Sequence, residues 1–135
     1  MNDGLIYIAN NLFETLFAIS NEEQRIGLMH VDHPAPTMTF IYSCAQINKF
    51  WMSNTKIPLD IIFCHAGEVV QICKGEPYST AMIGDDRLTD LVIELPYGTA
   101  KLSDIKLGHK VGLVKPTKDE LNKIIAEKYI GIIKF

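Results

Sequence analysis

Trp51, Asn54, Thr55 and Asp60, with Arg25 before them and Glu94 after, are the residues whose types and spacing suit a binding or catalytic role. Trp51 is the sole tryptophan. An indole beside short hydrogen-bonding side chains fits a sugar ring or another small polar ligand, because the ring supplies apolar area and the polar groups fix orientation. The same residues have a commoner structural use: Trp51 as a core anchor, Asn54 and Thr55 as turn formers, Asp60 as the partner of a backbone amide or of Arg25. If Arg25, Asp60 and Glu94 converge in one cleft, the two carboxyl groups become an acid and base pair for hydrolysis. Charged residues so scattered more often occupy solvated faces or one structural ion pair.

Other constellations are poorer. His30 and His33 give two imidazoles in a loop beside Pro34, whereas zinc needs three or four convergent ligands, so no metal site is expected. Cys44, Cys64 and Cys73 are odd in number and lack CxxC spacing, as suits buried or free thiols in a reducing compartment. The chain has no GxSxG elbow, P-loop or GxGxxG fingerprint, and no cofactor is called for. Lys115, Lys118, Lys123, Lys128 and Lys134 are offset by Asp119, Glu120 and Glu127, and the formal net charge is -3. Neither nucleic-acid nor membrane binding gains support.

The elements that must position these residues read mostly as strands. Residues 5–8 and 12–19 are apolar clusters divided by Asn10-Asn11, the pattern of two strands, with a short helix as the alternative that periodicity alone leaves open for the second. Ser20-Asn21-Glu22-Glu23 is a capping-box pattern, predicting a helix to about Met29 that Gly27 weakens and Pro34 and Pro36 forbid to continue. A short strand follows at 39–42. From Phe50 to Phe63 the chain changes from aromatic and small polar residues to a strongly apolar run, as in an aromatic-anchored turn feeding a buried strand. Leu59 to Cys64 and Glu68 to Cys73 flank His65-Ala66-Gly67 as a β-hairpin. The simplest register sets Ile61 against Ile72, Phe63 against Val70 and Cys64 against Val69, which keeps Cys64 from bridging Cys73.

Residues 74–90 read as a surface loop, 91–95 as a strand stopped by Pro96, 99–105 as a helical turn and 107–114 as the approach to a last strand. Thr117-Lys118-Asp119-Glu120 repeats the capping box ahead of Leu121, Ile124, Ile125 and Lys128, and Gly131 marks a stop. Burying the three apolar residues would dock this helix at roughly 1.5–3 kcal/mol each. With 135 residues, 47% hydrophobic and 21% charged, the chain suits one globular domain with a genuine core. No apolar run approaches the ~20 residues of a membrane helix. The first residues lack a basic n-region, so a cytoplasmic location is the default.

Arg25-Ile26-Gly27-Leu28-Met29, Met38-Thr39-Phe40, the stretch from Phe50 to Phe63, Gly67-Glu68-Val69-Val70, Glu94-Leu95 and Tyr97-Gly98-Thr99 occur in the order of the domain of unknown function 192 family. The chain resembles that family over about residues 12–114. The resemblance implies a compact, mainly β domain of uncharacterised function and carries no catalytic assignment. Many members look exported, with an N-terminal signal that is not seen here. Ser53 stands where members usually carry a lysine, Thr37 where a glycine usually precedes the Met-x-Phe element, and the helix from Thr117 looks like an addition to the family core.

The expected architecture is mainly β: a compact, β-sandwich or barrel-like single domain over 1–135, with a short helix near 21–29 and an added C-terminal helix at about 117–130. Three functions of different class fit it. The first is a non-enzymatic module binding a small polar or carbohydrate-like ligand at a cleft around Trp51. The others are a hydrolase-type enzyme using Asp60 or Glu94, and a protein-interaction domain using the C-terminal helix.

Overall fold

The computed structural model describes residues 2–133, with side chains as far as Ala126. The two N-terminal apolar clusters form β1 (Asn2–Ile8) and β2 (Asn11–Ala18), paired antiparallel with Ile8 opposite Asn11. Alternation then decides what is buried: Ile6, Ile8 and Phe17 are wholly enclosed, while Tyr7 and Leu12 stay outside. Helix α1 (Asn21–Ile26) begins at the capping box, with the Glu23 N–H donating to Ser20 Oγ at 3.1 Å and the Ser20 N–H donating to the Glu23 carboxylate at 3.0 Å. It stops short of Met29, because Gly27 takes φ 50° and ψ -125°, a conformation that strains any residue with a Cβ.

The remaining elements are β3 (Met38–Ile47), β4 (Leu59–His65), β5 (Glu68–Gly75), β6 (Leu88–Pro96), α2 (Thr99–Leu102), β7 (Val111–Lys115) and α3 (Lys118–Ile133). One sheet contains all seven strands in the order β5-β4-β6-β3-β2-β1-β7, with β2 and β3 paired in parallel. Strand twist curls it until its ends touch. The Val69 N–H donates to His109 O at 2.9 Å, the Gly108 N–H to Val69 O at 2.8 Å and the Val111 N–H to Gly67 O at 2.9 Å. The mainly β domain thus takes the barrel-like form of a curled half-barrel. Among the described residues no helix is long and apolar enough to cross a membrane.

Two cores result. Ile6, Ile8, Phe17, Ile62, Ile93 and Leu95 fill the inside of the curl. On the outer face, Phe40, Leu59, Ile61, Phe63 and Val92 are covered by Leu28, Ala35, Met52 and Ile57 from the long loops. Strand β4 is therefore buried on both sides, which is why its sequence is a near-continuous apolar run. Gly75 lets Met52 close over it, since a Cβ there would sit 2.5 Å from the Met52 sulfur.

The β4–β5 hairpin forms around Ala66 and Gly67, both at positive φ, and Cys64 lies opposite Val69. Its far end departs from the simple register. The pairing shifts between Phe63 and Cys64, so Phe63 lies opposite Gln71, Ile62 opposite Ile72 and Ile61 opposite Cys73. Val70 is the extra residue of this bulge. Ile72 consequently joins the inner core, while Val70 and Cys73 pack on the outer one. Cys44, Cys64 and Cys73 are free thiols.

Three boundaries also differ from expectation. Strand β3 runs on to Ile47 and β6 starts at Leu88, since these ends pair with each other as Ile47 with Leu88 and Gln46 with Thr89. The C-terminal capping box forms, with reciprocal Thr117 and Glu120 bonds of 3.2 Å, but α3 continues past Gly131. A helical glycine costs only about 1 kcal/mol relative to alanine, too little to end a helix by itself. Leu121 is buried and Ile124 and Ile125 only partly so, which makes the docking narrower than expected; the Lys128 side chain lies outside the described residues.

Candidate functional site

Residues 50–52 cross the outer face as an extended segment that leads into a turn at Ser53 and Asn54, closed by the Thr55 N–H donating to Met52 O at 3.0 Å. Phe50 exchanges backbone hydrogen bonds with Ile83 at 2.9 and 2.7 Å, the Met52 N–H donates to Ser79 O, and the His30 N–H donates to Asn54 O, both at 2.9 Å. In such a segment successive side chains alternate in direction. Phe50 and Met52 turn inward, and Trp51 turns outward with 49% of its surface exposed. The aromatic anchor is accordingly Phe50, edge-on to Phe40 at 4.9 Å and to Phe63 at 5.8 Å between ring centres. Trp51 is no core anchor.

A cavity of about 220 Å³ opens beside the indole. Its walls come from α1 and the turn after it (Arg25, Gly27), from β3 (Phe40, Tyr42), from the segment Lys49 to Thr55, and from Glu94 of β6. Arg25, Trp51, Thr55 and Glu94 are thus brought together; Asn54 and Asp60 are not. Asn54 sits at φ 56° in the turn, exposed. Thr55 is buried, and its hydroxyl donates to Ser53 O at 3.2 Å. Gln24 fastens α1 to the sheet by donating to Ile41 O at 2.7 Å.

The two carboxylates part company. Asp60 lies opposite Leu95, and Glu94 opposite Ile61, so alternation places Asp60 with the inner core and Glu94 on the outer face. They do not converge as an acid and base pair. Asp60 Oδ2 accepts the N–H groups of Gly98 at 3.0 Å and Ala100 at 2.9 Å, tying the start of α2 to β4. Arg25 pairs with Glu22 at 2.6 Å on the surface, not with Asp60.

Glu94 is 4% exposed and makes no hydrogen bond or ion pair among the described residues. No fully enclosed side-chain oxygen or nitrogen among them lacks a partner, so the Glu94 oxygens reach the cavity. Burial pushes its carboxyl up to about 8. Tyr42 is pushed up as well, by burial first and then by Glu94. Gly27 leaves room beside the acid: a Cβ there would sit 3.3 Å from Phe40 Cζ and 3.7 Å from Glu94 Oε1. At the rim Lys49 pairs with Asp86 at 3.1 Å.

Sequence reasoning missed Gly27, Tyr42 and Lys49. The break of the α1 pattern at Gly27 and the in–out alternation of Phe50, Trp51 and Met52 were the available signals. A larger hollow of about 530 Å³ between β1, β2 and Thr37 is lined by Asp3, Glu14 and Lys115, but these charges are all exposed. Among the described residues no group of acids, cysteines and histidines is placed to hold a metal ion.

The model of the DUF192 family, described as Uncharacterized ACR, matches residues 6–113. The match opens within β1, earlier than residue 12, and closes in β7 ahead of α3. A protein of unknown function from Novosphingobium aromaticivorans DSM 12444 is 30% identical with a TM-score of 0.76, over 81% of this chain and 84% of that one. A Sinorhizobium meliloti 1021 protein whose name gives it a provisional role as a transcription regulator is 24% identical with a TM-score of 0.79, over 83% of this chain and 94% of that one. At that identity the likeness shows the fold alone. No curated protein matches the chain.

Proposed function

The chain belongs to the DUF192 family, and from that premise we propose that it is a non-enzymatic module binding a small polar, carbohydrate-like ligand in the cavity beside Trp51. The observation that carries this reading is a buried carboxyl without a donor among the described residues, open to a cavity whose rim is a half-exposed indole. A ring laid on the indole loses apolar surface to water, while its polar groups supply what Glu94 lacks. A volume of about 220 Å³ suits one ring-sized molecule. Glycoside hydrolysis uses two carboxyl groups flanking one bond, and among the residues lining this cavity Glu94 is the single acid.

Titrating Trp51 fluorescence with a panel of monosaccharides and small metabolites tests the reading. Because Trp51 is the sole tryptophan, any saturable quench or shift reports this rim. A folded protein whose emission responds to no member of the panel sinks the proposal. A cytoplasmic setting goes with it, supported by three free thiols of which Cys44 is exposed. Recovery of the protein outside the cell would remove that part.

A further inference from the structure

Resting on that binding reading, we propose that the ligand meets the cavity floor with a protonated amine: the site takes a ring-bearing organic ammonium, with Glu94 as its counter-ion. The fold puts two cations in the cavity lining and ties both to other acids. Arg25 forks onto Glu22 at 2.6 and 3.2 Å, and Lys49 reaches Asp86 at 3.1 Å. Among the described residues Glu94 is left without a counter-ion. A buried carboxyl in that position destabilises the empty protein, and a ligand cation relieves the cost on binding.

The walls favour the same charge. Phe40, Tyr42, Phe50 and Trp51 line the cavity, and aromatic faces attract a desolvated cation. Glycine at position 27 keeps a path open along Phe40 to Glu94 Oε1. A neutral hydroxyl would satisfy the acid but gain nothing from these rings as a cation does.

Proton accounting distinguishes the two. In the empty cavity Glu94 holds its proton at neutral pH, since burial pushes the carboxyl up to about 8. An ammonium binds the carboxylate, so the Glu94 proton passes to solvent as the ion pair forms. The other charged or titratable groups facing the cavity are Arg25 from α1, Tyr42 from β3 and Lys49 before Phe50. Arg25 is held charged by Glu22, and Tyr42 is held protonated by burial and by Glu94 itself.

Calorimetry with cyclohexylamine, cyclohexanol and glucose on the whole chain and on Glu94→Gln, at pH 6 and pH 8, tests the assignment. Cyclohexylamine is expected to bind at least ~10-fold more tightly than cyclohexanol at pH 8, to gain about 10-fold or more between pH 6 and pH 8 with net proton release, and to lose its advantage in Glu94→Gln. Equal affinity for the amine and the alcohol, or an amine preference that survives in Glu94→Gln, overturns the ammonium assignment and leaves the cavity a ligand site. No binding by any of the three overturns it together with the binding reading. Should Glu94→Gln fail to fold, the amine-to-alcohol ratio and its pH dependence in the native chain decide the matter.

Discussion

Asp60 and Glu94 stand on neighbouring central strands, both more than nine-tenths buried, yet they face opposite sides of the sheet and end differently. On the inner side two backbone N–H groups converge on Asp60 and use it to pin α2. On the outer side Glu94 meets aromatic rings, a glycine and a cavity. Desolvation without donors favours a neutral acid at Glu94. Burial of an acid is therefore no sign of function by itself. What separates a structural carboxylate from a candidate binding group is whether the fold supplies its hydrogen bonds.

The contrast breaks first at Glu94→Gln. A carboxyl whose folded value is raised favours the folded state fully only below its unfolded value near 4.5, and that contribution is lost as pH rises through about 8. Replacing the ionisable group should thus stabilise the protein above pH 8 by up to roughly 5 kcal/mol, with little change near pH 4. Urea unfolding of both proteins across that range measures it, and a difference that does not vary with pH would refute the burial account.

Asp60→Ala should act in the opposite sense. It strands the buried N–H groups of Gly98 and Ala100, costing about 2–4 kcal/mol. A loss under about 1 kcal/mol in urea unfolding at pH 7 would mean the two bonds contribute little. Gly27→Ala sharpens the outer half of the comparison: positive φ and the added methyl beside Phe40 should cost about 1–2 kcal/mol and weaken any ligand bound at Glu94. Unchanged stability and binding would show that the glycine is incidental. The smallest effect on stability belongs to Trp51→Ala, about 1 kcal/mol or less for a half-exposed ring, accompanied by a ~10-fold or greater loss of ligand affinity in calorimetry. A variant that unfolds instead would return the indole to the core.

Much of the fold was legible because it is encoded over a few residues. Ser20 with Glu23 and Thr117 with Glu120 announce helix starts, since each cap satisfies backbone donors one turn away. Ala66-Gly67 announces the hairpin in the same way. The site was legible in part. Arg25, Trp51, Thr55 and Glu94 share a cavity, while Asn54 and Asp60, equally plausible by type, serve the turn and α2. Tyr42 and Lys49 carried no signal, because nothing in their local sequence marks them as facing a cavity.

By itself the sequence determined the strands, the capped helix starts, the family and the turn of the central hairpin, all products of hydrogen bonding and alternation between near neighbours. Only the tertiary structure decided that Trp51 faces outward, that Val70 bulges, and that Asp60 has donors where Glu94 has none among the described residues. The donors to Asp60 come from 38 and 40 residues further along the chain, and the walls around Glu94 come from α1, β3 and the segment beyond it. Such partners meet only when the sheet has curled and its outer face has been covered.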